Sequence, residues 1–169
     1  MHERDQALIF DEWLNDHKAL LFKVVHAYAF SPADRDDLFQ EIVTQIWRSI
    51  PAFRRESAVT TWIYRVALYS AIAWSRNERK HQTGRQPSDG IEHALVVTPR
   101  APNPRLDWLY EQIARLDEID RSLMLMMLDG FSYREIAATL GITETNVGVK
   151  INRIKADLIQ KTKAEHHEL

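Results

Sequence analysis

Residues with the chemistry to read duplex DNA cluster in one stretch of this chain, from Ser132 to Ile154. Ser132 and Glu135 have the spacing of a capping box, in which side chains satisfy the free backbone N–H groups at a helix start. Ile136, Ala137 and Leu140 form that helix's inward face. Gly141 follows where the chain must turn sharply, since a residue without a Cβ takes positive φ at little cost. Ile142 plugs the corner, and Thr143 caps a second helix in which Val147, Ile151, Ile154 and Leu158 share one side. At about 100° per residue the opposite side carries Thr145, Asn146, Val149, Asn152 and Arg153, groups that can meet base edges in a major groove. Lys150 and Lys155 flank that face, where phosphates would lie. Gly148 weakens the helix by roughly 1 kcal/mol relative to alanine and points away from Val147's side, which fits close approach of DNA. A plain helical hairpin would share the turn and the apolar period. Caps, spacing and polar outer face together favour a helix-turn-helix that docks in duplex DNA.

A second surface suits unpaired bases. A helix from about Val59 to Lys80 presents Ile63, Val66, Ala67, Ser70 and Trp74 on one side, the natural core face. Trp62, Arg65, Tyr69, Ala73 and Arg76 form a separate stripe that interleaves aromatic and cationic groups. Aromatic faces stack on bases at about 1–3 kcal/mol each while arginines hold phosphates, so the stripe fits single-stranded DNA. Arg79, Lys80 and Arg85 extend the basic run. Equally, Trp62 or Tyr69 could pack against another helix and leave the arginines solvated. On a preceding helix, Asp34, Asp37 and Glu41 recur beside Leu38, Ile42 and Ile46. Carboxylates in a first turn are favoured by the helix dipole alone, but Gln40, Glu41 and Trp47 are candidates for a protein interface.

Positioning these groups takes an all-α chain, because helical periodicity dominates and no alternating strand pattern or solenoid repeat is visible. One helix runs from about Gln6 to Ala29, with Leu8, Ile9, Trp13, Leu20, Leu21, Val24, Val25 and Tyr28 as its apolar residues. Ser31 caps the next, with Pro32 at its first position, as far as about Ser49, where Pro51 ends it. Residues 1–82 form a first helical domain. Gly84, Pro87, Gly90, Pro99 and Pro102 mark residues 83–103 as a flexible linker. Residues 104–163 form a second domain containing the helix-turn-helix, and 164–169 a tail. Net charge is only −2, and both domains are internally balanced in Lys/Arg against Asp/Glu. Any DNA affinity must come from local patches, and a larger partner would have to supply the rest.

Taken in order, these pieces resemble the extracytoplasmic-function (ECF) sigma factors, the small two-domain initiation subunits of bacterial RNA polymerase. The resemblance covers about Leu8 to Lys161. Asp37, Leu38, Phe39, Gln40 and Glu41 with Trp47 look like the family's segment for binding the polymerase clamp. Phe53, Arg54, Arg55, Glu56 and Ser57, followed by Thr61, Trp62, Ile63, Tyr64 and Arg65, look like its promoter-melting and minus-ten-reading segment. Ser132 to Ile154 is similar to its minus-thirty-five reader. The resemblance implies that the Phe53 to Ser57 loop captures an unstacked base, with Tyr69 and Arg76 further along the same surface. It also implies that core polymerase (β′ clamp and β flap) and promoter DNA are partners, and that an anti-sigma factor holds the protein inactive. The family often carries Asn where Tyr69 stands, Asp near Ala73, and a basic or hydroxyl residue where Gly148 and Val149 stand, so base preferences do not carry over.

Other classes fit less well. A stand-alone regulator would combine the helix-turn-helix with an amino-terminal sensor, but residues 1–82 show no ligand-binding signature. An enzyme is not expected, and no catalytic residue is assigned. His2, His17, His26, His81, His93, His166 and His167 lack metal-ligand spacing with carboxylates, and neither a nucleophile elbow nor a phosphate-binding glycine loop is present. Neither a metal nor a cofactor is expected. Cysteine is absent, which suits a reducing compartment, and with no signal-peptide layout or membrane-length apolar run the expected location is the cytoplasm.

Overall fold

The computed structural model describes residues 2–81 and 103–167. Within them all regular structure is helical: α1 Glu3–Tyr28, α2 Pro32–Ser49, a short 3-10 turn Ile50–Ala52, α3 Val59–His81, α4 Pro104–Ala114, α5 Glu118–Leu128, α6 Tyr133–Leu140 and α7 Glu144–His167. The chain divides into two compact units, Met1–Asp107 and Trp108–Leu169. The linker expected over residues 83–103 lies outside the described residues except for Asn103, as do Arg85, His93 and the end of the expected tail.

In the first unit, α1, α2 and α3 pack pairwise against one another. The Ser31 hydroxyl accepts the Asp34 backbone N–H at 3.1 Å and Pro32 occupies the first turn, so α2 starts where its sequence signals say. Pro51 does not follow the helix end directly; it sits inside the 3-10 turn that carries the chain from α2 into the next loop. Leu38, Ile42 and Ile46 of α2 are wholly buried against Leu21, Val24, Val25 and Tyr28 of α1 and Ile63, Tyr64, Ala67, Leu68, Ala71 and Ile72 of α3. The α3 core face is therefore wider than its periodicity indicates, and its centre is shifted from Val66, Ser70 and Trp74, which are only half-buried, toward Tyr64, Leu68 and Ala71. The cause is that α3 meets two helices rather than one.

An ionisable side chain, His26, lies inside this core. His26 is 7% exposed; its Nδ1 lies 2.7 Å from the Phe22 carbonyl while Nε2 is buried with no hydrogen-bond partner. Desolvation lowers its pKa below the ordinary 6.5, the Phe22 hydrogen bond opposes this, and the Arg35 charge adds to the lowering. The unfolded chain thus binds a proton near pH 6.5 that the native state refuses. His26's share of stability is present above that pH and is lost as pH falls toward the lowered native value. Urea midpoints of the first unit should fall between pH 7.5 and 5.5, and His26→Leu should flatten that dependence by up to one proton. An unchanged pH profile in the variant would contradict the assignment.

In the second unit, α5, α6 and α7 pack mutually around Leu123, Leu125, Met126, Ile136, Val147 and Ile151, all wholly buried. The predicted capping box is present: Ser132 Oγ accepts the Glu135 N–H at 3.2 Å and Glu135 Oε2 accepts the Ser132 N–H at 2.8 Å. Gly141 adopts φ 69°, and the N–H groups of Gly141 and Ile142 both return to the Ala137 carbonyl, at 2.9 and 3.2 Å. That left-handed residue is what lets α7 leave α6 at an angle. Outside the trihelical core, the Trp108 indole N–H of α4 donates to Glu165 Oε1 at 2.8 Å, tying α4 to the far end of α7.

Candidate nucleic-acid interfaces

The helix-turn-helix presents the face its sequence implies. Thr143 Oγ1 accepts the Asn146 N–H at 3.1 Å and starts α7. Val147, Ile151, Ile154 and Leu158 are buried, while Thr145, Asn146, Val149, Asn152, Arg153 and Lys155 are exposed, with Val149 58% accessible. A methyl-bearing side chain so exposed in the middle of a polar surface is suited to a thymine methyl. Lys150 Nζ lies 2.7 Å from Asp120 Oδ1 on α5, and 21% of its side chain is accessible, so in the free chain the ammonium is paired with a protein carboxylate.

Gly148 also has a protein neighbour. A Cβ placed there would meet the Tyr133 ring of α6 at 3.5 Å, ordinary contact rather than a clash. Packing therefore admits alanine, and the helix-propensity penalty of glycine is not required by the fold. Gly148→Ala should raise the stability of the second unit by up to about 1 kcal/mol, measured by thermal unfolding. If the same variant weakens upstream DNA binding, close approach of a duplex is the reason for the glycine; unaltered binding would remove that explanation.

The loop joining α2 to α3 is the second candidate surface. Arg54, Arg55, Glu56 and Ser57 are exposed, and Arg55 holds φ 58°, a left-handed conformation that costs a non-glycine residue on the order of 1–2 kcal/mol. Its surroundings keep the loop in place. The Phe53 ring meets Trp13 of α1 edge-on at 5.2 Å and Trp62 of α3 at 5.5 Å. The Trp62 indole N–H donates to Ser49 Oγ at 3.1 Å, joining the two ends of the loop, and the Ser49 hydroxyl donates onward to the Ile46 carbonyl at 2.8 Å. Beside it, His17 Nδ1 lies 2.9 Å from the Trp13 carbonyl and Nε2 lies 3.0 Å from Thr60 Oγ1. Trp62 was one of the aromatic groups expected to stack on bases. Its N–H and part of its ring brace the loop, and it is half-buried, as are Phe53 and Thr61. Tyr69 is 46% accessible with the Arg65 guanidinium 5.8 Å from its ring centroid, and Ala73 and Arg76 continue the stripe on the surface.

On α2, Asp37, Gln40 and Glu41 are exposed. Asp37 Oδ2 accepts the Trp74 indole N–H at 2.9 Å, and Trp47 is half-buried with its ring edge-on to Phe10 at 5.2 Å. Leu38, in the same sequence segment, is wholly buried and cannot touch a partner while the domain is folded. Sequence reasoning did not single out Asp120, Ser49 or the contact between Trp13 and Phe53. Ser49 and Trp13 are chemically ordinary positions on helices, and Asp120 carries no local pattern linking it to residues 30 positions away. Among the described residues no cluster of His, Asp or Glu could hold a metal, and no helix is long and apolar enough to cross a membrane.

Known proteins share this arrangement. Residues 13–81 match sigma-70 region 2, and residues 106–158 match sigma-70 region 4. The chain belongs to the sigma-70 family, with both regions in family order. More particularly, it is 29% identical to the ECF RNA polymerase sigma-E factor of Escherichia coli K12, covering 93% of each chain. It is 25% identical to the RNA polymerase sigma factor YlaC of Bacillus subtilis, over 78% of this chain and 80% of that one. In fold it resembles the sigma factor RpoE of Bartonella quintana, solved with the anti-sigma factor NepR (TM-score 0.70, 18% identity, 91% and 96% of the two chains covered). It also resembles CnrH, solved with the cytosolic domain of CnrY (TM-score 0.64, 19% identity, 92% and 88% covered).

Proposed function

We propose that this chain is an ECF-type sigma factor that directs core RNA polymerase to specific promoters and assists DNA melting at initiation. The observation that carries the reading is the pairing, in one chain, of a braced aromatic and cationic loop within the sigma-70 region 2 match and an exposed polar recognition helix within the region 4 match that follows it. The α7 face of Thr145, Asn146, Gly148, Val149, Asn152, Arg153 and Lys155 reads the minus-thirty-five duplex. The loop Phe53, Arg54, Arg55, Glu56 and Ser57, with Arg65, Tyr69 and Arg76, takes the unpaired minus-ten strand; Thr61 and Trp62 support it. Asp37, Gln40, Glu41 and Trp47 form the edge that meets the polymerase clamp, and the second domain meets the β flap. Residues 1–82 and 104–163 act as the two working domains, joined by residues 83–103.

RNA synthesis belongs to the polymerase, and the chain contributes selectivity without being an enzyme. Its site of action is the cytoplasm, where an anti-sigma factor restrains it. A regulator built from one DNA-binding domain and a sensor leaves the region 2 match unexplained. The deciding experiment is in vitro transcription by purified core polymerase, with and without this chain, on a genomic fragment library. Selective initiation only in its presence is expected, and initiation no more selective than with core enzyme alone would refute the function. Within that assay, Arg153→Ala should weaken upstream promoter binding by about 1–3 kcal/mol, read from the footprint of the upstream element. An unaltered footprint would remove Arg153 from the contact face.

A further inference from the structure

The α7 helix has a protein neighbour on each flank. At 100° per residue, Gly148 and Lys150 lie on opposite sides of Val149, the centre of the exposed face. Gly148 rests beside Tyr133 of α6, and Lys150 is anchored to Asp120 of α5 at 2.7 Å. Asp120 is nearly enclosed, with 9% of its side chain accessible, and its second oxygen lies 3.6 Å from Arg153 Nη2. Arg153 falls between Lys150 and the centre of the face, and 66% of its side chain is accessible. A single buried carboxylate, on a helix outside the helix-turn-helix, thus faces two cations of the recognition helix. It grips one closely and leaves the other mostly in solvent.

We propose that Asp120 is a positioning and specificity-determining residue for duplex recognition. It withdraws the Lys150 charge from the phosphate backbone, fixes the roll of α7 between α5 and α6, and steers the Arg153 guanidinium along the exposed face. The proposal rests on the reading of α7 as the duplex-reading helix. Two consequences separate it from a merely structural ion pair. Lys150 is neutralised within the protein, so it releases no DNA counterions on binding. Arg153 can leave its 3.6 Å contact for DNA without abandoning Asp120, because Lys150 still compensates that carboxylate. Sequence-independent attraction is kept down, and the discriminating contact is kept aimed.

The test measures binding of holoenzyme, assembled from core polymerase and the full chain, to a promoter duplex over a range of KCl concentrations. The comparison duplex has a scrambled upstream element. In Asp120→Asn, Lys150 is released toward phosphate. The slope of log K against log salt should steepen by about one, since each neutralised phosphate contributes about −0.9. Discrimination against the scrambled element should fall severalfold. In Asp120→Asn with Lys150→Gln, both charges are gone, no buried charge is left uncompensated, and the slope should return to the wild-type value. A wild-type slope and discrimination in Asp120→Asn would overturn the proposal. So would a double-variant slope about one unit shallower than wild type, because Lys150 would then be a phosphate contact in the native protein. Should Asp120→Asn fold poorly, the double variant decides by its discrimination: a severalfold fall is expected because Arg153 has lost its carboxylate neighbour, and wild-type discrimination at a wild-type slope would overturn the proposal. Promoter selection by the wild-type holoenzyme, set against core enzyme alone, reports separately on the function itself.

Discussion

Replacing Trp13 with alanine should lower the stability of the first unit by about 3–5 kcal/mol and cripple promoter melting. The first number follows from burial: Trp13 is 7% exposed, and removal of a large aromatic side chain from a packed core costs that much through lost transfer energy and the cavity left behind. The second effect follows from what Trp13 touches. Its ring meets Phe53 edge-on at 5.2 Å, and Phe53 in turn leans on Trp62, so one α1 side chain supports the base of the loop that carries Arg55 in its left-handed conformation. Aromatic pairs of this geometry contribute about 0.5–1.5 kcal/mol beyond area burial, comparable with the strain stored at Arg55. Without the support the loop relaxes, and ordering it on a flipped base costs binding energy that the preformed loop does not spend. Hydrogen exchange of α1 and α3 amides measures the stability change, and permanganate reactivity of the open bubble measures melting. A loss under about 1 kcal/mol, or a bubble of wild-type reactivity in a folded variant, would show that the loop does not depend on Trp13.

Ile151→Ala should have the larger effect on upstream recognition, exceeding that of any single surface contact. Ile151 is wholly buried on the side of α7 opposite Val149, and truncating such a side chain to alanine typically costs 2–5 kcal/mol. The second unit is small and its core is built from three mutually packed helices, so a loss of that size is a large share of its stability. Removing Arg153 deletes one contact. Removing Ile151 loosens the platform that aims all of them. Thermal unfolding of the full chain should show the second unit melting earlier while the first is unaffected, and the upstream footprint should vanish as the temperature approaches that transition. A footprint that persists above it would mean that polymerase contacts, not the helix-turn-helix core, hold α7 on DNA.

The helices and caps were legible in the sequence because their signals are local. Ser31 with Pro32, Ser132 with Glu135, Gly141 and Thr143 each act on the backbone within four residues, and all four do what their positions imply. The exposed face of α7 was legible for the same reason: a helix with one buried stripe leaves the opposite side to solvent, and periodicity alone locates it. Where a helix packs against two neighbours the rule weakens, which is why Tyr64, Leu68 and Ala71 proved more central to α3 than Ser70 and Trp74.

The sequence by itself therefore determined an all-helical chain, the helix-turn-helix and the residues that face away from its core, because capping and amphipathic burial depend on spacing along the chain. Only the tertiary structure decided which of the conspicuous side chains are available. Lys150 is held by Asp120, Trp62 is turned toward Ser49 and Phe53, and Leu38 is enclosed between helices. Each of these outcomes depends on a partner far away in sequence, brought within a few ångströms by helix packing. A cation or an aromatic ring carries no mark of whether its partner will be DNA or another part of its own fold.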